Sequence, residues 1–306
     1  MPSLTVRRAI PAGGAVLLAA SAALLYATGH TTVPASTDHR PGELWRLWPP
    51  ILVTLLLVRL LPWTIPETGH IAERLNRKMS GRSPRRDVAV LLGCVVLFYV
   101  LDLLLSAVLS LVDPTLTPLS YFISKAFFLF LVPVVLVGAV GVMRYASGPD
   151  VTRLSLKVVE PWRWWGLVAV AGYVLVVLTP WAARTPAAGE ILPDRFTVAG
   201  VLIVTLLWSP VLEEVFFRGM LQTRLEYVVG RWPGIVLASG VYAAAGLIGG
   251  TAPNGAATAV ATAVCVQGTA GLMYGYLWSR YRNMWLNLLL HTATTVFVLT
   301  APITGG

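Results

Sequence analysis

Nine stretches of about twenty mostly apolar residues fill more than half of this 306-residue chain, and that is the length a helix needs to cross the hydrocarbon core of a bilayer. They run about 9–28, 47–62, 88–112, 119–143, 165–183, 197–216, 233–249, 258–279 and 284–301. An open segment in lipid satisfies its backbone only as a helix. The expected fold is therefore all-α, a polytopic membrane protein with eight or nine transmembrane helices. Charged residues make up only 12% of the chain, against roughly 25% in soluble domains, which leaves little room for a soluble enzyme domain. The first run, preceded by Arg7 and Arg8, also resembles a cleavable signal peptide.

The net charge of +9 would suit a nucleic-acid binder, but the basic residues sort by loop. With the N-terminus inside, seventeen of the 23 fall on the inner side; Arg40, Arg46, Arg184 and Arg195 fall outside, and Arg59 and Lys125 lie within runs. This bias predicts a cytoplasmic N-terminus in a cell membrane and no nucleic-acid partner. The basic loop 64–87 is suited to lie on anionic lipid. Arginine outnumbers lysine, of which there are three, a bias that points to a GC-rich bacterial source. Cys94 and Cys265 sit in apolar runs as small hydrophobes, so no disulfide framework is expected.

Ionisable groups inside apolar helices are the default candidates for function. Asp102 and Lys125 each lie eleven residues from the Asp113-Pro114 turn, about 16 Å in at 1.5 Å per residue, so they are expected to pair. The richer cluster is Glu213, Glu214 and Arg218. Glu214 and Arg218, four apart, fall on one helix face as an ion pair, which leaves Glu213 as the freer carboxylate and the candidate general base toward water. Asn287, His291 and Thr295 recur every four residues as one polar stripe. Glu213 and His291 both lie toward the cytoplasmic ends of their helices, so they can meet in the inner leaflet.

These residues resemble the CAAX prenyl endopeptidase and bacteriocin-processing family of intramembrane proteases. Its first motif, Glu-Glu-x-x-x-Arg, stands as Glu213-Glu214 with Arg218 and Gly219, and its last, His-x-x-x-Asn/Asp, as His291 with Thr295. The resemblance covers about 205–296 and divides the chain into N-terminal helices and basic loops, 1–164, and a protease-like domain, 165–306. It implies peptide hydrolysis near the cytoplasmic side, on a peptide or protein substrate that carries a prenyl group or none. Glu213 would be the base, Glu214 and Arg218 its support, His291 a metal ligand or oxyanion donor, and Thr295 and Asn287 binding residues.

Two positions depart from the pattern. The middle motif, Phe-x-x-x-His, stands as Tyr242 with Gly246, and the final Asn/Asp is Thr295. Zinc held by Glu213 and His291 therefore lacks a complete ligand set. Asn287, Gln267 and Cys265 are the polar groups nearby that would complete it; otherwise the site works without metal. An inactive relative that binds a membrane partner or peptide, and a small transporter subunit built on Asp102 and Lys125, are the alternatives.

Overall fold

The computed structural model describes residues 4–34, 41–62, 73, 83–137, 158–179, 210–247 and 255–300, with side chains in the last helix described through Thr294. Among them are nine helices: α1 (Leu4–Ala27), α2 (Leu44–Leu60), α3 (Pro84–Val112), α4 (Pro114–Leu136), α5 (Pro161–Val177), α6 (210–229), α7 (Arg231–Ala245), α8 (Ala256–Tyr281) and α9 (Met284–Thr300). The all-α expectation holds apart from one small antiparallel ribbon, β1 (Thr32–Pro34) with β2 (Pro41–Glu43), between α1 and α2. Among the described residues four helical segments, Thr5–Ala27 and the whole of α3, α4 and α8, are long and apolar enough to cross a membrane.

Prolines set several starts. Pro84, Pro114 and Pro161 each occupy the first position of a helix, where a missing N–H costs nothing. The α3–α4 turn is closed by Asp113, whose carboxylate accepts the Thr115 N–H at 2.9 Å. These hydrogen bonds hold its carboxyl below the usual range. Between α8 and α9, Arg282 takes a left-handed conformation at φ +48°, and the Asn283 side chain accepts the Trp285 N–H at 3.1 Å to begin the next helix. Arg163 at the start of α5 crosses over to the Tyr281 carbonyl at 2.8 Å.

One face of α3 remains uncovered, with Val96 62%, Leu104 59% and Leu111 88% exposed. Such a surface suits lipid, which satisfies apolar side chains as a protein interior does. The other face supplies Leu91, Cys94 and Phe98 to a core shared with Leu129 of α4 and with Phe216, Phe217 and Leu221 of α6. A second core joins α2, α5, α7, α8 and α9 through Ile51, Ala169, Ile235, Met273, Leu277 and Leu290. Cys94 and Cys265 are both free and buried.

The sixth run ends earlier in the sequence reading than in the structure. Residues 197–209 lie outside the described residues, and the helix continues to Val229 rather than stopping near 216. Its polar residues find partners inside the protein instead of in a loop. Gln222 donates to the Gly275 carbonyl at 2.8 Å, and Arg224 reaches Asp87 at 2.9 Å and the Met220 carbonyl at 3.0 Å. Arg218 and Arg224, counted above among the inner-loop charges, are thus buried helical residues.

Helices α7 and α8 approach closely at glycine. A Cβ placed on Gly271 would fall 3.1 Å from the Ser239 Cα, and one on Gly275 would fall 3.1 Å from Cγ2 of Ile235. Backbone cannot move aside as a flexible side chain does. Gly271→Leu is therefore expected to destabilise the fold by about 1–3 kcal/mol through overpacking. Thermal unfolding in detergent checks it, and an unchanged midpoint would show that α7 and α8 tolerate separation.

Candidate active site

Three helices carry acidic, basic and imidazole groups into one buried cluster. Glu213 and Glu214 come from α6, Asn287 and His291 from α9, and Lys125 from α4; all are buried. The Glu214 carboxylate is the hub. Its Oε1 lies 2.9 Å from His291 Nδ1, its Oε2 accepts from Asn287 Nδ2 at 2.9 Å, and Arg218 Nε lies 3.4 Å from the same oxygen. Asn287 also donates to the Tyr274 carbonyl at 3.0 Å. The expected i,i+4 pair of Glu214 with Arg218 therefore forms, and the expected polar stripe delivers Asn287 and His291 to the same carboxylate.

Glu213 is itself held at one oxygen. Its Oε1 accepts from the Lys125 ammonium, and the Tyr242 hydroxyl hydrogen-bonds it as well. Its Oε2 faces His291 Nε2 at 3.7 Å. The expected Asp102–Lys125 pair is replaced by this arrangement, with Asp102 accepting from Ser120 Oγ at 2.8 Å on the α3–α4 face. Equal distance from a turn fixes height along a helix but not the side from which a residue projects. Lys125 projects toward α6, and the transporter reading loses the pair that motivated it.

Aromatic rings line the cluster. Tyr274 stacks on the His291 ring with centroids 5.0 Å apart and planes 11° apart. The Arg218 guanidinium lies over the rings of Tyr242 and Tyr274, at 5.0 and 5.5 Å. Its nitrogens have no hydrogen-bond partner among the described residues, so the ring faces and the Glu214 charge compensate its burial. Tyr242, Tyr274 and Lys125 are the site residues that sequence reasoning did not place here. Their signals were a lone lysine in an apolar helix and a tyrosine at the Phe position of the middle motif. Thr295 lies on α9, one turn beyond His291, with its side chain outside the described residues.

Position 246 is filled from the neighbouring helix. A Cβ on Gly246 would fall 2.8 Å from Cγ and 2.9 Å from Cδ of Gln267. The glutamine side chain thus occupies the space beside Gly246, and its Oε1 is buried without a hydrogen-bond partner among the described residues. Cys265 packs instead in a separate apolar cluster with Leu25, Leu44 and Ala261.

The donor set suits zinc poorly. A catalytic zinc site uses three protein ligands, and among the described residues no group of three His, Cys, Asp or Glu side chains is placed to hold a metal. The Glu214 oxygens and one Glu213 oxygen are engaged with His291, Asn287, Arg218 and Lys125. Two adjacent cations also oppose a third.

Residues 195–297, about a third of the chain, match the family model described as Type II CAAX prenyl endopeptidase Rce1-like. The match includes Glu213, Glu214, Arg218, Tyr242, Gly246, Asn287 and His291, and excludes Lys125. No curated protein and no solved structure matches the chain. The helical fold, the long apolar helices and the buried Glu-Glu-Arg-His cluster agree with that match, and residues 195–297 are thereby similar to the Rce1-like CAAX prenyl endopeptidase family.

Proposed function

We propose that the protein is an intramembrane endopeptidase of the CAAX prenyl protease type, which hydrolyses a peptide bond near the cytoplasmic side of the cell membrane. The observation that carries this reading is the 3.7 Å approach of Glu213 Oε2 to His291 Nε2, too long for a direct hydrogen bond and close enough for one water beside the pair to contact both. Glu213 takes the proton of that water as general base. The oxygen attacks the scissile carbonyl, and the proton passes to the leaving amine. Glu214 holds His291 at 2.9 Å and is itself held by Asn287 at 2.9 Å, and with Nδ1–H donating to Glu214 the His291 Nε2 accepts from the water and orients it. Arg218 fixes Glu214, and Thr295, next along the polar stripe, is a binding residue for substrate.

No step in this scheme passes through a metal. The substrate is a peptide or protein held in the membrane, prenylated or not. A cytoplasmic N-terminus follows from the basic residues of the inner loops, and a bacterial source from the arginine bias.

Cleavage of prenylated and unprenylated C-terminal peptides by purified protein in detergent is the test. Glu213→Gln is expected to lower the rate by about 10² to 10⁴-fold, the range for a lost general base, and undiminished cleavage would overturn the assignment. Cleavage is further expected to survive exhaustive chelation with EDTA. Loss of activity that zinc restores would instead establish a metal site.

A second reading, an inactive relative that binds a membrane partner or peptide in the same cavity, is favoured by Gln267 lying against Gly246. It predicts a silent wild type. Gly246→His alone is then expected to destabilise the fold, because its Cβ meets Gln267, whereas Gly246→His with Gln267→Ala makes room for the ring. Cleavage gained only in the double variant would mark a degenerated protease; continued silence with retained partner binding would leave the binding role.

A further inference from the structure

Lys125 lies seventy residues ahead of the matched domain, yet it touches the proposed base. It is one of three lysines in the chain and is fully buried. Its ammonium donates to Glu213 Oε1 and to the Tyr121 hydroxyl at 3.2 Å, and it sits over the Tyr121 ring at 4.9 Å. A wide helical turn, Phe127–Leu131, begins two residues later, and such turns change the direction in which neighbouring side chains project.

The two oxygens of Glu213 therefore have separate surroundings. Oε1 meets the α4 ammonium, while Oε2 faces His291 Nε2 at 3.7 Å. A glutamate has three rotatable bonds and by itself does not hold its carboxylate in one plane. An ammonium fixed at one oxygen, with its own place set by Tyr121, holds that plane and aims the second oxygen. A misplacement of about 1 Å in such a group is enough to cost about 10²-fold in rate.

We propose that Lys125 is the positioning residue for Glu213: by holding Oε1 it presents Oε2 to His291 and to the attacking water, so the working site extends beyond the matched domain into α4. This rests on the hydrolytic reading above. Lys125 touches neither substrate nor water in this scheme and acts through Glu213. A residue that only balanced charge would affect how much protein folds, whereas a positioning residue affects the turnover of each folded molecule.

The experiment compares kcat and KM, per folded molecule, for wild type, Lys125→Met and Lys125→Arg, together with thermal unfolding of wild type, Lys125→Met, Glu213→Gln and the double variant in detergent. Lys125→Met is expected to lower kcat about 10²-fold with KM within about threefold, and Lys125→Arg to recover about tenfold of that loss. Wild-type kcat in folded Lys125→Met, or a loss carried wholly by KM, would overturn the proposal. Should Lys125→Met fail to fold, Lys125→Arg and the double variant, which removes both charges, carry the comparison. A wild type that cleaves nothing overturns the hydrolytic reading and its catalytic consequence. The unfolding series then decides the contact itself: a double variant no less stable than either single one supports the hold on Glu213, and additive losses refute it.

Discussion

Charge buried in an apolar helical protein must be matched, and this requirement organises the second half of the molecule. Two carboxylates, Glu213 and Glu214, face two cations, Lys125 and Arg218. Each isolated ion would carry a desolvation penalty of several kcal/mol, and removing one partner of a buried pair costs about 3–5 kcal/mol. Because Lys125 stands on α4, the glutamates on α6 and His291 on α9, the matching fixes the three helices against one another. In lipid no hydrophobic effect does that between helices, so packing and polar contacts carry the association. The tyrosines of α7 and α8 close the cluster by covering Arg218 and His291 with ring faces.

Three wide helical turns stand next to the groups that meet there. One follows Lys125 at Phe127–Leu131, one spans Glu214–Gln222, and one, Val264–Gly268, contains Gln267. Such turns are rare and concentrate at functional sites because an added residue redirects the side chains around it. Here they let helices that remain continuous for packing still aim charged groups at one point.

Much of the site was legible in the sequence because charge inside an apolar run is conspicuous. Glu213, Glu214, Arg218, Asn287 and His291 could be singled out by type and spacing, and the regular helical period brought Glu214 to Arg218 and Asn287 to His291. The partner of Lys125 was not legible. Residue counts from the Asp113 turn give height, and Asp102 and Glu213 are equal candidates until the direction of projection is known. The end of α6 was hidden for a related reason. Gln222 and Arg224 look like loop residues by polarity, and only their partners, among them the Gly275 carbonyl and Asp87, make them helical interior.

Gly246 shows how one residue change draws in a neighbour. Glycine removes all side-chain volume at a position where the family pattern has a histidine, and close packing does not leave such a space unfilled. Gln267 fills it from α8, within van der Waals reach of the Gly246 backbone. Where that pattern would place an imidazole, this chain has an uncharged amide whose Oε1 has no partner among the described residues. An amide neither takes up a proton in the working pH range nor adds charge, so it cannot act on Glu213 as an imidazole does. Among the described residues, Lys125 and His291 lie against Glu213. Of these His291 alone presents an imidazole, one nitrogen of which is held by Glu214, and the chemistry of the cluster therefore turns on how Glu213 is presented to that one ring.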